Sequence, residues 1–172
     1  MSAFDVREAG VSDAEAIASV HVRTWQFAYR GQLPEDFLSQ LSVEERAKRW
    51  REMLVSPKPK TKVYVAEAVG TIVGFGSVGP SRDKDAEQSM GELYAVYIDA
   101  QNMGKGAGSA LMQAGLEYLR SQGFKKAILW VLASNDKARK FYESKGWTLT
   151  GKTEVDKRDE VDLHVVQYDI SL

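Results

Sequence analysis

Apolar and polar positions follow two different periods along this chain, and the switches between them lay out an order of elements. Phe4 and Val6 stand between polar neighbours, which predicts a short first strand. Ser-Asp-Ala-Glu at 12–15 has the form of a capping box, and Ile17, Val20, Thr24 and Ala28 then share one helical face. A second box, Ser-Val-Glu-Glu at 42–45, opens a helix with Val43, Ala47, Trp50 and Leu54 on one side. Pro57 and Pro59 stop it, because proline lacks the amide a helix needs.

Residues 62–79 read as two strands turning at Val69 and Gly70, and the polar run 80–89 reads as a mobile loop. Residues 91–98, rich in β-branched and aromatic side chains, suit a central strand. Ala107, Ala110, Leu111, Ala114, Tyr118 and Leu119 form a helical stripe, with Gly123 where a C-terminal glycine belongs. The continuous apolar run 126–132 reads as a buried strand. Asn135 is placed to cap a helix carrying Ala138, Phe141 and Tyr142, stopped by Gly146. Residues 147–152 and 163–170 supply two last strands, and the charged run 154–162 reads as a solvated loop. The pattern predicts a mixed α/β fold, a mixed sheet with helices on its faces, in a single domain over residues 1–172.

Composition narrows the function classes. A chain of 172 residues, 44% hydrophobic, suits one domain with a real core. Its net charge of −1 gives no electrostatic case for nucleic acid or an anionic membrane. There is no cysteine, hence no disulfide, thiolate nucleophile or thiolate metal site. His21 and His164 stand far apart, which argues against a histidine metal centre and for structural roles. The first ten residues lack the basic and apolar parts of a signal peptide, so the expected location is cytoplasmic.

The unusual feature is the stretch 97–112, where Gly104, Gly106 and Gly108 alternate between a strand and a helix. Glycine is costly in either element, whereas a bare turn before a helix N-terminus exposes amides suited to phosphate oxygens. The plain alternative is a tight turn, which needs one glycine. The Walker pattern fails because Lys105 is followed by Gly106, and the dinucleotide fingerprint fails because the glycines are evenly spaced.

This stretch resembles the acyl-coenzyme A loop of the GCN5-related N-acetyltransferases (GNAT), Gln/Arg-x-x-Gly-x-Gly/Ala. Gln101, Gly104 and Gly106 match its letters. Keeping the strand and helix in phase instead puts Met103 at the Gln/Arg position, with Gly106 and Gly108 as the glycines. Residues 135–147 resemble the family's Asn-x-x-Ala-x-x-x-Tyr-x-x-x-Gly-Phe segment, with Trp147 for Phe.

The resemblance implies a mostly antiparallel sheet splayed between its two central parallel strands. It also implies acetyl-CoA as co-substrate, with no metal, and direct transfer to a primary amine of a small molecule or peptide. The backbones of Tyr97 and Ile98 would hold the pantetheine arm and polarise the thioester. The amides of Met103, Gly104, Lys105, Gly106, Ala107 and Gly108 would grip the pyrophosphate, and Asn135 would both cap its helix and touch the cofactor. Tyr142 matches the family's acid for the departing thiol; beside Phe141 it also reads as core. Glu92 falls at the position used as general base in the histone-acetylating branch; next to Gly91 and a polar loop it reads equally as a solvated edge residue. Trp25 and Tyr29, with Phe27, lie where the family's acceptor pocket is lined, or they are core. A homodimer is compatible with this reading. The rival from another class is a non-catalytic acyl-CoA-binding module, and a general nucleotide-binding domain is a third.

Overall fold

The structure is a computed structural model and describes residues 4–158 and 161–172. Seven strands form one sheet: β1 (Asp5–Glu8), β2 (Lys62–Ala68), β3 (Thr71–Pro80), β4 (Met90–Ile98), β5 (Lys126–Leu132), β6 (Thr148–Arg158) and β7 (Val161–Ser171). Their order across the sheet is β1-β2-β3-β4-β5-β7-β6, and every pairing is antiparallel except β4 with β5. The helices are α1 (Ala14–Ala28), α2 (Glu35–Ser39), α3 (Val43–Val55), α4 (Ala107–Ser121) and α5 (Asp136–Ser144). None among the described residues is long and apolar enough to cross a membrane.

Two apolar layers hold the helices to the sheet. On one face, Ile17 and Val20 of α1 and Ala47 and Trp50 of α3 close over Val65 and Phe75. On the other, α4 packs Met112, Leu116 and Leu119 against Val78, Leu93 and Leu129, with Phe141 and Tyr142 of α5 at the margin. Gly115 lets α4 come close to β3, since a Cβ there would lie 2.7 Å from Val78 Cγ1.

Several predicted caps are found. Ser42 accepts a bond from the Glu45 amide at 3.2 Å, Asn135 from the Ala138 amide at 3.2 Å, and Gly123 follows α4 with φ of +91°. The first box is different. Residues 11–13 form a 3-10 turn, α1 starts at Ala14, and it is the Asp13 carboxylate, not Ser12, that takes the Gly10 amide at 2.7 Å. Asp13 is preferred because it also accepts two bonds from Arg7, at 2.8 and 2.9 Å. Helix α2, too short to show a period, had no counterpart in the sequence pattern.

Two loop readings are corrected. Residues 154–158 continue β6 and pair with β7, Glu154 opposite Val165 and Asp156 opposite Leu163, so the charged run is largely a hairpin arm. Glu154, Val155 and Lys157 are all exposed, so it is pairing with β7 and not a buried face that makes this stretch a strand; residues 159 and 160 lie outside the described residues. The segment 81–89 is tied down through Arg82 and Asp83 rather than free.

The Arg7 guanidinium holds the nearly buried Asp13 carboxyl below the usual carboxylate range, aided by the Gly10 amide and opposed by desolvation. A depressed folded pKa contributes stability that is present above the unfolded value and lost as pH falls through the folded one. Asp13→Asn should therefore cost about 1.5–3 kcal/mol at neutral pH, the range for hydrogen bonds to charged groups. Urea unfolding at several pH values checks this: the deficit should shrink below about pH 4, and a deficit constant through that range would refute the assignment.

Candidate active site

The parallel pair β4–β5 is short. Met90, Gly91 and Glu92 stand opposite Lys126, Ala127 and Ile128, and the pairing then stops. Beyond it β4 stays on β3 as far as Ile98, while β5 stays on β7 as far as Leu132. Residues 93–98 of β4 thus have no strand partner on the β5 side among the described residues, and the strands diverge into a wedge. Opposite the opening, the β3–β4 register slips between Ser77 and Val78, which leaves Tyr94 as an extra residue on β4. Such a bulge bends its strand.

The wedge opens into a cavity of about 640 Å³, within the range of small-molecule sites. Its wall includes β4 from Leu93 to Ile98, the turn at Met103, Gly104, Gly106 and Gly108, and Asn135, Phe141 and Tyr142. The end of α1 joins it with Thr24, Phe27, Ala28 and Tyr29.

The glycine turn has two left-handed positions, Gly104 at φ +74° and Gly106 at φ +96°, the latter being the N-terminal cap of α4. An L side chain at either would be strained. A Cβ built at either would meet nothing within 4 Å, so the backbone faces open space. The hydrogen-bond ladder of α4 begins with Ala110 donating to the Gly106 carbonyl at 3.1 Å. The amides of Ala107, Gly108 and Ser109 precede it and carry the partial positive charge of a helix start. An open, amide-lined cradle of this kind fits a pyrophosphate. Gly108 packs differently, since a Cβ there would touch the Phe141 ring at 3.4 Å.

The other sequence candidates fall into two groups. Tyr97, Ile98, Met103, Asn135, Tyr142 and Tyr29 all line the cavity. Tyr97 stacks on His21 with ring centres 5.2 Å apart, which fixes β4 against α1. His21 also accepts a bond from Trp50 at 3.4 Å, so it knits α1, α3 and β4 together. His164 is exposed on β7, opposite Val155. Burial pushes the Tyr142 hydroxyl's pKa well above its ordinary value, and Tyr97 pushes it the same way. Lys105 is exposed beside the turn and Ala107 is buried beneath it, neither reaching the cavity wall.

Glu92 and Trp25 also stand outside that wall. Glu92 is buried at 1% exposure, and its oxygens accept from the Arg82 amide at 2.9 Å and the Arg82 guanidinium at 2.8 Å. The solvated-edge alternative for it fails, since burial without a partner would be very costly for a carboxylate. Trp25 is buried and meets Tyr29 edge-on at 4.9 Å, in a cluster with Leu38, Leu132 and Leu163. It supports the α1 side of the cavity from behind.

Sequence reasoning missed Trp130, Tyr94 and Gln32 in the wall. Trp130 was part of an apolar run that reads as uniformly buried, and only the break in pairing exposes it. Gln32, between α1 and α2, accepts from the Ser134 hydroxyl at 2.8 Å and bridges to the β5–α5 loop.

Known proteins with this arrangement are readily found. Residues 22–147 match the model of the Acetyltransferase (GNAT) family. The chain is 37% identical over 131 residues to the uncharacterized N-acetyltransferase YuaI of Bacillus subtilis, covering 76% of this chain and 72% of that protein. Among solved structures, the PaiA N-acetyltransferase of Thermoplasma acidophilum in complex with coenzyme A superposes with a TM-score of 0.74 at 19% identity, over 97% of this chain and 98% of that one. YncA of Salmonella typhimurium, solved with acetyl-CoA, gives 0.72 at 20% identity, over 99% and 94%. At those identities the likeness is one of fold. Family model, relative and fold agree, and the chain belongs to the acetyltransferase (GNAT) family.

Proposed function

We propose that this chain is a single-domain, cytoplasmic N-acetyltransferase that moves an acetyl group from acetyl-CoA to a primary amine of a small molecule or peptide, by direct attack. The observation that carries the reading is the unpaired edge of β4 lying beside the glycine turn of α4 in one cavity. A strand edge offers backbone donors and acceptors to an extended amide-bearing arm, and the turn offers amides to phosphates. The family and the acetyl-CoA held by the YncA fold neighbour support the choice of donor.

Acetyl-CoA brings a thioester, an acyl group already activated for transfer. The turn residues Met103, Gly104, Lys105, Gly106, Ala107 and Gly108 bind its pyrophosphate, mostly through backbone amides. Asn135, fixed as the cap of α5, orients the pantetheine arm against Tyr97 and Ile98. The amine nitrogen forms its bond to the acetyl carbon as the C–S bond breaks. Tyr142 keeps a proton at its hydroxyl for the departing sulfur. Glu92 lies outside the cavity wall and is already bonded to Arg82, so in this reading solvent rather than Glu92 takes the amine's own proton.

Gly106→Asp places a side chain on a left-handed residue and a carboxylate at the phosphate cradle. Acetyl-CoA at a hundredfold over its dissociation constant should stabilise the wild type by about 2.7 kcal/mol, and this variant should lose that gain in a thermal melt. A folded variant with an unchanged gain would reject the turn as the binding site.

Tyr142→Phe should keep acetyl-CoA affinity and slow turnover about ten- to a hundredfold. Because the folded pKa is raised, the hydroxyl stays protonated at least to about pH 10, and no alkaline loss of kcat below that should trace to it. An alkaline loss present in the wild type and absent from the variant would contradict this.

Glu92→Gln should lower the melting temperature, through the broken Arg82 pair, while leaving the shape of the pH–rate profile intact. A turnover defect that recovers as pH rises would instead make Glu92 the base.

A further inference from the structure

The cavity wall changes character from one side to the other. On the α5 side it carries Asp136, Lys137 and Lys145, and among the described residues these are the charged groups of its lining. On the α1 side the wall is aromatic, built from Phe27, Tyr29, Tyr94 and Trp130, with Thr24 and Gln32 as its polar groups. Phe27 is 52% exposed although it is large and apolar, a ring turned to the cavity rather than to the core.

Trp130 is held more firmly than packing alone would require. Strand alternation puts it on the same face of β5 as Leu132, which packs with Trp25 and Tyr29, whereas Leu129 and Val131 face the α4–α5 core. Its indole N–H donates to Asp83 Oδ1 at 3.0 Å. The other Asp83 oxygen accepts from Gln167 Nε2 at 2.9 Å, and Gln167 is both buried and directly opposite Trp130 in the β5–β7 register. Thr150 in turn donates to Gln167 Oε1 at 3.0 Å. The neighbouring Arg82 guanidinium lies 4.3 Å over the Tyr94 ring while bonded to Glu92. The segment 81–89 is thus a brace that sets two rings of the wall from behind.

We infer that the acceptor is a primary monoamine with an uncharged aryl body, seated against Phe27, Tyr29 and Trp130, and that Asp83 is a positioning residue which fixes Trp130 for it. This rests on the N-acetyltransferase reading above. Flat aromatic walls favour a flat aromatic guest through offset and edge-to-face contacts. The aromatic side of the wall carries no carboxylate, Asp136 standing on the α5 side, so an amine seated there meets no counter-charge and desolvation favours its neutral, nucleophilic form. A polyamine would bring further ammonium groups against the same aromatic side, which offers no carboxylate to balance their desolvation.

The test begins with the wild type, acetyl-CoA, and two probes, benzylamine and spermidine, followed by thiol release. The kcat/KM for benzylamine should exceed that for spermidine by about tenfold or more. Saturation-transfer NMR should show benzylamine ring protons in contact with the coenzyme A-loaded protein. Asp83→Asn, which offers one carbonyl oxygen and turns an NH2 toward a donor, should raise the benzylamine KM about fivefold with kcat nearly unchanged. It should leave the acetyl-CoA melting shift at its wild-type size. Trp130→Phe, which removes the N–H, should abolish that effect, so that adding Asp83→Asn to it changes KM no further. A preference for spermidine, or no saturation transfer from benzylamine, overturns the acceptor class while leaving the acetyltransferase reading in place. Additive effects of the two substitutions on KM overturn the positioning role. Failure of acetyl-CoA to stabilise the wild type overturns the underlying reading itself, and this inference with it.

Discussion

The rest of the structure depends on the early end of the β4–β5 pairing. Parallel strands in the middle of a sheet ordinarily exchange bonds along their full length, because an unpaired buried amide or carbonyl costs as much as a lost hydrogen bond. Here three residue pairs suffice before β4 and β5 part, each then completing its other edge on β3 or β7. The separation is kept open on both faces. On one, Phe141 and Tyr142 of α5 stand against the α4 layer. On the other, His21 and Trp25 of α1 and Tyr29, its C-terminal cap, fill the space beside Tyr97 and Leu132. The edge that residues 93–98 leave without a strand partner is therefore a feature of the fold, and the cavity is its consequence.

Both flanking helices bring their N-terminal ends to this opening, and they are capped in contrasting ways. The start of α5 is satisfied from within, since Asn135 Oδ1 takes the Ala138 amide. The start of α4 has no side-chain cap; its cap residue is Gly106, whose left-handed backbone turns the first amides outward. A helix end left without a partner on the protein points to a partner from outside. The difference between the two ends is why the start of α4, rather than that of α5, is the one proposed for phosphate. Lys105, the one cation in the turn, is solvent-exposed, and the positive potential at this helix start comes from its backbone.

What could be read in advance divides along physical lines. Local signals were legible, because caps, turns and strand runs are decided within a few residues. The Ser42 and Asn135 caps, the Val69–Gly70 turn and the β5 run all appear where the pattern puts them. The glycine turn was legible for the same reason, as it sits between two clear elements. Interactions across long separations were not. Nothing near Glu92 announces that Arg82 will fold back to cover it, and Asp83 meets Trp130 across 47 positions and Gln167 across 84. The charged residues 154–158 were misread because their strand character comes from pairing with β7, while their composition speaks for solvent. Trp25 and Tyr29 are neighbours at the end of α1, yet only pairing and packing decide that Tyr29 meets the cavity and Trp25 stands behind it.

The 81–89 segment shows how a polar stretch becomes architecture. Arg82 and Asp83 are adjacent and of opposite charge, yet neither is spent on the other. Arg82 reaches the buried carboxylate of β4, and Asp83 reaches two neutral donors on β5 and β7. The two residues therefore straddle the base of the wedge, one bonded to each strand just where they begin to part. Charge-assisted bonds are short and directional, so this pair fixes the angle at which the strands diverge more firmly than apolar contact would. The same two residues set the rings of Tyr94 and Trp130, which ties the width of the cleft to the shape of its aromatic wall. A substitution that loosened the brace would alter both together, and that coupling is why a loop with no atom in the cavity lining carries information about what the cavity admits.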